Sequence, residues 1–93
     1  MELKRAFGLT LKRMRVQRGL TQEGFSLVSS RTYLSTLERG LKCPTLEKLE
    51  DLAGVMGVHP ATLMIAAYAS EGGVEEQERL LHEVHSQLRE LCR

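Results

Sequence analysis

Aromatic side chains are scarce in this sequence, which has no tryptophan and only two phenylalanines and two tyrosines among 93 residues. Leucine and methionine must therefore fill most of the core, as they do in small helical domains. No apolar run reaches the roughly 18 residues that a transmembrane helix requires. The longest run, residues 61–69, is interrupted by Thr62. The N-terminus lacks the apolar segment of a secretion signal, so we expect a cytoplasmic protein with no membrane partner.

Residue types that carry metal or catalytic chemistry are few, and their spacing does not suit it. Cys43 and Cys92 fit no metal-binding spacing and no CxxC motif, so both are expected to be free thiols. His82 and His85 are three residues apart, but spacing fixes no acidic or thiol partner beside them. The sequence has no Ser/His/Asp arrangement at plausible spacing and no glycine-rich phosphate loop. We expect no catalytic residue, no metal and no cofactor, and a protein that is not an enzyme.

Charge is divided unevenly along the chain, although the formal net charge is only +1. Residues 1–45 hold nine basic and three acidic side chains, whereas residues 46–93 hold four basic and nine acidic ones. A basic half joined to an acidic half suggests that one end meets a polyanion and the other does not. Solvated charged faces are common, so an ordinary surface would explain the same division.

Apolar residues recur at helical spacing along the whole chain, and no segment reads as a strand. Leu3, Phe7, Leu11 and Met14 share one face of a first helix, and Gly19 is suited to ending it. A short second helix is predicted to begin at Gln22. A third helix is predicted over residues 30–39. The fourth begins after Pro44-Thr45 and ends at Gly57, and the fifth begins at His59-Pro60. The last covers residues 74–91.

The pattern predicts an all-α protein with three parts. Residues 1–69 form a domain of five short helices, residues 70–73 (Ser-Glu-Gly-Gly) form a linker, and residues 74–93 form a longer C-terminal amphipathic helix. A chain of this length buries one modest core and has little room for a deep substrate cleft.

Several blocks of sequence occur in the order found in one family. They are residues 11–15 (LKRMR), 18–23 (RGLTQE), 30–40 (SRTYLSTLERG) and 44–46 (PTL), followed by Leu49, Leu52-Ala53, Met56-Gly57-Val58 and Leu63. Over residues 7–66 the chain resembles the Cro/C1-type (XRE) helix-turn-helix regulators of bacteria and phages. The resemblance implies a lambda-repressor-like domain that binds double-stranded DNA with the helix from Ser30 to Arg39. The segment from Gly24 to Ser29 is about two residues shorter than the family's and lacks its turn glycine, so the second helix or the turn must be tightened.

The predicted recognition helix supplies the candidate base contacts. Side chains at the N-terminal end of a helix in the major groove reach the base edges. The resemblance places base contacts at Arg31, Thr32 and Thr36, and Tyr33 and Ser35 flank them as further base or phosphate contacts.

The candidate phosphate contacts lie on either side of that helix. The resemblance gives Gln22 a contact with the DNA backbone, and its position in the first turn of a helix favours a phosphate there. Ser29 and Ser30 are expected to cap the recognition helix, to contact phosphate, or both. Arg39 and Lys42, at the other end, are expected to contact phosphate, with a solvated surface role as the alternative.

Two further features have structural roles in this interpretation. The resemblance implies that Arg15 and Glu38 form a partly buried ion pair between the first and third helices. Dimerisation is assigned to the apolar stripe of the terminal helix because one helix-turn-helix reads only a few base pairs. Packing of that helix on its own domain is the alternative. The stripe consists of Leu80, Leu81, Val84, Leu88 and Leu91.

The sequence thus predicts a dimeric repressor, acting on its own gene, that reads a palindromic operator. The alternative is an antitoxin that binds its operator and also neutralises a partner protein through its acidic C-terminal half.

Overall fold

A computed structural model describes residues 2–92, and this range contains five α-helices, one short 3₁₀ helix and no strand. Helix α1 spans Leu3–Gln17, the 3₁₀ helix Gln22–Phe25, α2 Arg31–Glu38, α3 Leu46–Met56, α4 Pro60–Tyr68 and α5 Gly73–Leu91. The all-α prediction is confirmed. Met1 and Arg93, the outer limits of the predicted domain and terminal helix, lie outside the described residues.

Three of the helices begin at side-chain caps that the sequence predicts. Ser30 and Thr45 each accept a hydrogen bond from a backbone N–H three residues ahead, at 3.1 Å in both cases. The Nδ1 atom of His59 accepts from the backbone N–H of Ala61 at 3.0 Å, and Pro60 occupies the first helical position. Such caps satisfy N–H groups that have no partner within the helix, so they fix where α2, α3 and α4 begin.

The second predicted helix is present only as a 3₁₀ turn of four residues. Thr21, the residue before it, makes no side-chain hydrogen bond to it. Phe25 is fully buried, and its carbonyl accepts hydrogen bonds from Val28 at 3.0 Å and Ser29 at 2.9 Å. With Phe25 anchored in the core and α2 beginning at residue 31, the chain has no room for a longer α-helix. The tightening expected from the shortened segment therefore takes the form of a 3₁₀ helix followed by a compact turn.

The hydrophobic core lies between α1, the 3₁₀ helix, α2, α3 and α4. Leucine is its main component, as the scarcity of aromatics predicts, and both phenylalanines are buried in it. The largest fully buried side chains are Phe7, Phe25, Leu11, Leu34, Leu37, Leu52 and Leu63. Helix α5 contacts α4 but contributes no buried residue.

The start of α1 and the end of α2 meet backbone to backbone. A β-carbon at Gly8 would contact the carbonyl oxygen of Leu37 and lie 2.8 Å from that of Glu38. A β-carbon at Gly40, whose φ is +76°, would lie 2.9 Å from the α-carbon of Arg5. Only glycine fits such close approaches, so these two positions set the distance between α1 and α2.

Candidate nucleic-acid interface

Helix α2 has one face in the core and the other at the surface. Leu34 and Leu37 are fully buried, whereas Arg31 and Thr32, in its first turn, are exposed. Ser35 and Thr36 are half-buried. Anchored by its two leucines, α2 presents its N-terminal side chains to solvent, which is the arrangement that a helix in the major groove requires.

Arg31 points towards the 3₁₀ helix. Its Nη1 atom lies 3.7 Å from Oε1 of Glu23, and both side chains are largely exposed. An exposed ion pair at this distance is weak and leaves the guanidinium free to take other partners. The two residues also line one shallow depression with Arg15, Thr21 and Gln22.

The other predicted base contacts differ in how much of each side chain is available. The Thr36 hydroxyl donates to the backbone carbonyl of Thr32 at 2.8 Å, so its proton is used within the helix. Its oxygen can still accept, and its methyl can contact a thymine methyl. Tyr33 is half-buried and packs against the core, which leaves it less accessible than Arg31 or Thr32.

One hydrogen-bond network joins α1, the 3₁₀ helix and α2 through Arg15, Gln22 and Glu38, the last residue of α2. Arg15 donates to both carboxylate oxygens of Glu38, from Nε at 2.6 Å and from Nη2 at 3.1 Å. Its Nη1 atom donates to the carbonyl of Leu20 at 2.9 Å. Gln22 donates from Nε2 to Glu38 at 3.1 Å, so one amide proton holds Gln22 to the network and the second is free. A phosphate contact by Gln22 would use that second proton.

The other predicted phosphate contacts flank α2. Ser30 uses its side chain to cap α2, and Ser29 donates to the carbonyl of Ser30 at 3.1 Å. Arg39, which follows the last residue of α2, and Lys42 are exposed. The structure thus places Ser29 and Ser30 at one end of α2 and the two basic residues at the other.

Lys48 belongs to this surface, although the sequence does not indicate it. It extends from α3 to the turn before α2, where its ammonium donates to the carbonyl of Val28. The same nitrogen lies 5.8 Å from the centre of the Tyr33 ring. Only a three-dimensional structure reveals this contact, because twenty residues separate Lys48 from Val28.

The apolar stripe of α5 is only partly covered by the rest of the chain. Leu80 and Val84 are half-buried, whereas Leu81, Leu88 and Leu91 are 48%, 54% and 81% exposed. Packing of α5 on the chain's own domain therefore covers only part of the apolar stripe. Near the start of the helix, Arg79 donates to Glu76, and this hydrogen bond lowers the pKa of the Glu76 carboxyl.

Within residues 2–92, no group of three or more His, Cys, Asp or Glu side chains is arranged to hold a metal ion. No helix in that range is long and apolar enough to span a membrane. Cys43 and Cys92 are both free and exposed.

Comparison with known proteins agrees with this geometry. A family profile described as helix-turn-helix matches residues 11–63. A relative from Sinorhizobium fredii, described as the uncharacterized HTH-type transcriptional regulator y4dJ, is 39% identical over 66 residues, which are 69% of this chain and 86% of that protein.

Two crystal structures of the clp gene regulator ClgR from Corynebacterium glutamicum have a similar fold. One has a TM-score of 0.67 and 33% identity, and the match covers 73% of this chain and 91% of that one. The other has a TM-score of 0.70 and 30% identity, with 91% and 93% covered. The second match covers 91% of this chain, which is more than residues 1–69 contain, so the similarity in fold extends into α5.

Proposed function

Since the chain belongs to the Cro/C1-type helix-turn-helix family of DNA-binding transcriptional regulators, which are not enzymes, we propose that it is a homodimeric repressor of its own gene. In this proposal two copies of α2 read the half-sites of a palindromic operator. A cytoplasmic location forms part of the proposal, because the protein must reach DNA.

The observation that carries the proposal is the placement of α2. Its buried leucines fix the helix to the core, and its first turn projects Arg31 and Thr32 away from the body. The major groove of B-DNA, about 12 Å wide, admits an α-helix, and an arginine there can donate two hydrogen bonds to one guanine. Arg31 is therefore assigned to direct base reading, with Thr32, Thr36, Tyr33 and Ser35 beside it.

Phosphate contacts are assigned to the polar side chains around α2. The free amide proton of Gln22 and the side chains of Ser29, Ser30, Arg39 and Lys42 would hold the protein on the DNA backbone. Such contacts fix the position of the protein but carry no base sequence directly.

Dimerisation is assigned to α5. In its stripe Leu81 and Leu88 are about half exposed and Leu91 is mostly exposed. An apolar row on a helix is stabilised when a second helix covers it. A two-fold dimer would bring two copies of α2 to half-sites about one helical turn of DNA apart.

The proposal is tested by measuring binding of the purified chain to DNA upstream of its own gene and to a scrambled duplex, over a salt series. We expect clear preference for the upstream fragment and a linear fall of log affinity with log salt. Equal affinity for the two duplexes would refute repression of its own gene. Footprinting of the upstream fragment would then show whether the protected bases form two related half-sites.

An antitoxin is the second candidate, and the acidic surface of α5 together with its exposed stripe favours it. In that case the partner on α5 would be a second protein rather than a second copy of this chain. A toxin-like reading frame beside the gene, with a product that co-purifies with this chain, would favour the antitoxin. A chain that is a stable dimer by itself would favour the repressor.

A further inference from the structure

We propose that Lys48 is a positioning residue for the recognition helix: its ammonium fixes the turn that leads into α2, and so the direction in which Arg31 points. The inference rests on the proposed function in one respect, namely that α2 reads DNA. The contacts that support it lie entirely within the free protein.

Lys48 lies at a well-fixed position in α3. Its own backbone N–H donates to the side chain of Thr45, the residue that caps this helix, at 3.1 Å. The neighbouring Leu49 is buried in the core. The base of the Lys48 side chain is therefore held by both the cap and the core, so its ammonium is tied to the body of the domain.

The other end of Lys48 reaches the turn between the 3₁₀ helix and α2. In the turn, Val28 and Ser29 both donate their N–H groups to the carbonyl of Phe25, and the carbonyl of Val28 points outward to the ammonium of Lys48. An ammonium is a stronger donor to a carbonyl than a neutral group is. One side chain from α3 thus satisfies a backbone acceptor in a turn that lacks the glycine expected there.

The ring of Tyr33 forms the second side of the contact. The ammonium lies 5.8 Å from the ring centre, within the distance at which a cation and an aromatic face attract each other. Since Tyr33 is in the first turn of α2, Lys48 holds both the turn and the helix that follows it. Arg31 and Thr32 lie between these two points of attachment in the sequence.

A different role for Lys48 would be a direct phosphate contact. Both roles predict weaker binding when the charge is lost, but they differ in sequence preference and in salt dependence. Loss of a phosphate contact weakens binding to every duplex and lowers the salt slope by about one. Loss of a positioning contact weakens binding to the preferred duplex and leaves binding to scrambled DNA nearly unchanged.

The first test uses the free protein, without DNA. Lys48→Met keeps the length and most of the volume of the side chain but removes its charge, and Lys48→Arg keeps a cationic donor. We expect Lys48→Met to shift the NMR amide signals of residues 28–33 and to speed hydrogen exchange at Ser29, and Lys48→Arg to preserve both. Lys12→Met, which removes an exposed lysine of α1, is the matched control and should leave residues 28–33 unchanged.

The second test compares binding to preferred and scrambled duplexes. We expect Lys48→Met to lose about tenfold in affinity for the preferred duplex, the effect of one charge-assisted hydrogen bond. Affinity for the scrambled duplex and the salt slope should stay close to those of the unsubstituted chain. Lys42→Met, at a proposed phosphate contact, should lower both affinities and the slope.

Two results would overturn the inference: amide signals of residues 28–33 that do not respond to Lys48→Met, or equal losses of affinity on both duplexes with a lower salt slope. If the unsubstituted chain shows no sequence preference, the proposed function fails. The NMR comparison then decides by itself whether Lys48 fixes the turn.

Discussion

Among single residues, Glu38 connects the fold most directly to the proposed DNA contacts. Its carboxylate accepts two hydrogen bonds from Arg15 and one from Gln22, and its side chain is only 4% exposed. These three hydrogen bonds tie α2 to α1 through Arg15 and to the 3₁₀ helix through Gln22. Glu38 therefore belongs to the body of the domain, although it lies in the proposed recognition helix.

We expect Glu38→Ala to lower the free energy of unfolding by about 3 kcal/mol, because it leaves the Arg15 guanidinium, 12% exposed, without its partner. Urea denaturation followed by circular dichroism measures this change. Glu23→Gln is the matched control: it breaks an exposed pair at 3.7 Å and should change stability by less than about 1 kcal/mol. Similar losses for the two variants would contradict the structural role of Glu38.

Glu23 also carries a negative charge beside Arg31 at the proposed interface. Removing it reduces repulsion of phosphate and frees the guanidinium, so Glu23→Gln should bind scrambled DNA more tightly, by roughly two- to fivefold at low salt. Fluorescence anisotropy with a labelled scrambled duplex measures the change, and the gain should shrink as salt is added. An unchanged affinity at low salt would place Glu23 away from the DNA.

Base contacts and phosphate contacts are expected to respond differently to substitution. Arg31→Ala should remove most of the preference for the operator over scrambled DNA, since one bidentate arginine–guanine pair discriminates by about 1–3 kcal/mol. Gln22→Ala and Lys42→Ala should weaken binding to both duplexes by similar factors. Competition binding with both duplexes measures the two effects, and equal losses for all three variants would contradict this division of roles.

Between elements, α1 and α2 approach each other backbone to backbone at Gly8. The missing β-carbon lets the α1 backbone approach the last carbonyl groups of α2, including that of Leu37. Gly8→Ala should therefore destabilise the fold by about 2–3 kcal/mol through forced separation of the two helices, despite the higher helix propensity of alanine.

Gly54→Ala provides the control, because Gly54 lies in the last turn of α3 and a β-carbon there meets nothing within 4 Å. That variant should be neutral or more stable by up to about 1 kcal/mol. Thermal unfolding measures the difference in stability between the two variants. Equal stabilities would mean that α1 and α2 can separate freely.

The role of α5 is tested by placing a charge in its stripe. Leu88→Glu introduces a carboxylate where a second helix would pack, so we expect it to convert a dimer into a monomer and to weaken operator binding by at least about tenfold. Analytical ultracentrifugation measures the oligomeric state. Gln87→Glu adds the same charge at the preceding position, outside the stripe, and should leave the dimer intact. A dimer that persists in Leu88→Glu would rule out the stripe as its interface.

In the molecule as a whole, the fold was largely predictable from local signals. Ser30, Thr45 and His59 mark the helix starts by their capping chemistry, and leucines at helical spacing identify the core. These signals act over three or four residues, so a sequence displays them directly. The one element that differs, the 3₁₀ helix, depends on how little chain connects buried Phe25 to α2, and this is a tertiary constraint.

The candidate site was less predictable where contacts join distant segments. The position of Arg31 follows from the start of a helix, but its contact with Glu23 does not. The link between Gln22 and Glu38 spans sixteen residues, and that between Lys48 and Val28 spans twenty. Gly8 shows no sequence signal of its own, because a glycine in a helix is ordinarily unfavourable and only the facing carbonyl groups explain it.

The loose attachment of α5 affects how steeply operator occupancy would depend on the concentration of the protein. The body folds around α1 to α4 without burying any residue of α5, so the proposed dimerisation would be an equilibrium separate from folding. If two chains must meet before the operator is filled, occupancy at low abundance rises with the square of the chain's concentration, so a doubling of the protein gives about a fourfold rise by mass action. A repressor built in this way would switch its own gene off over a narrow range of expression.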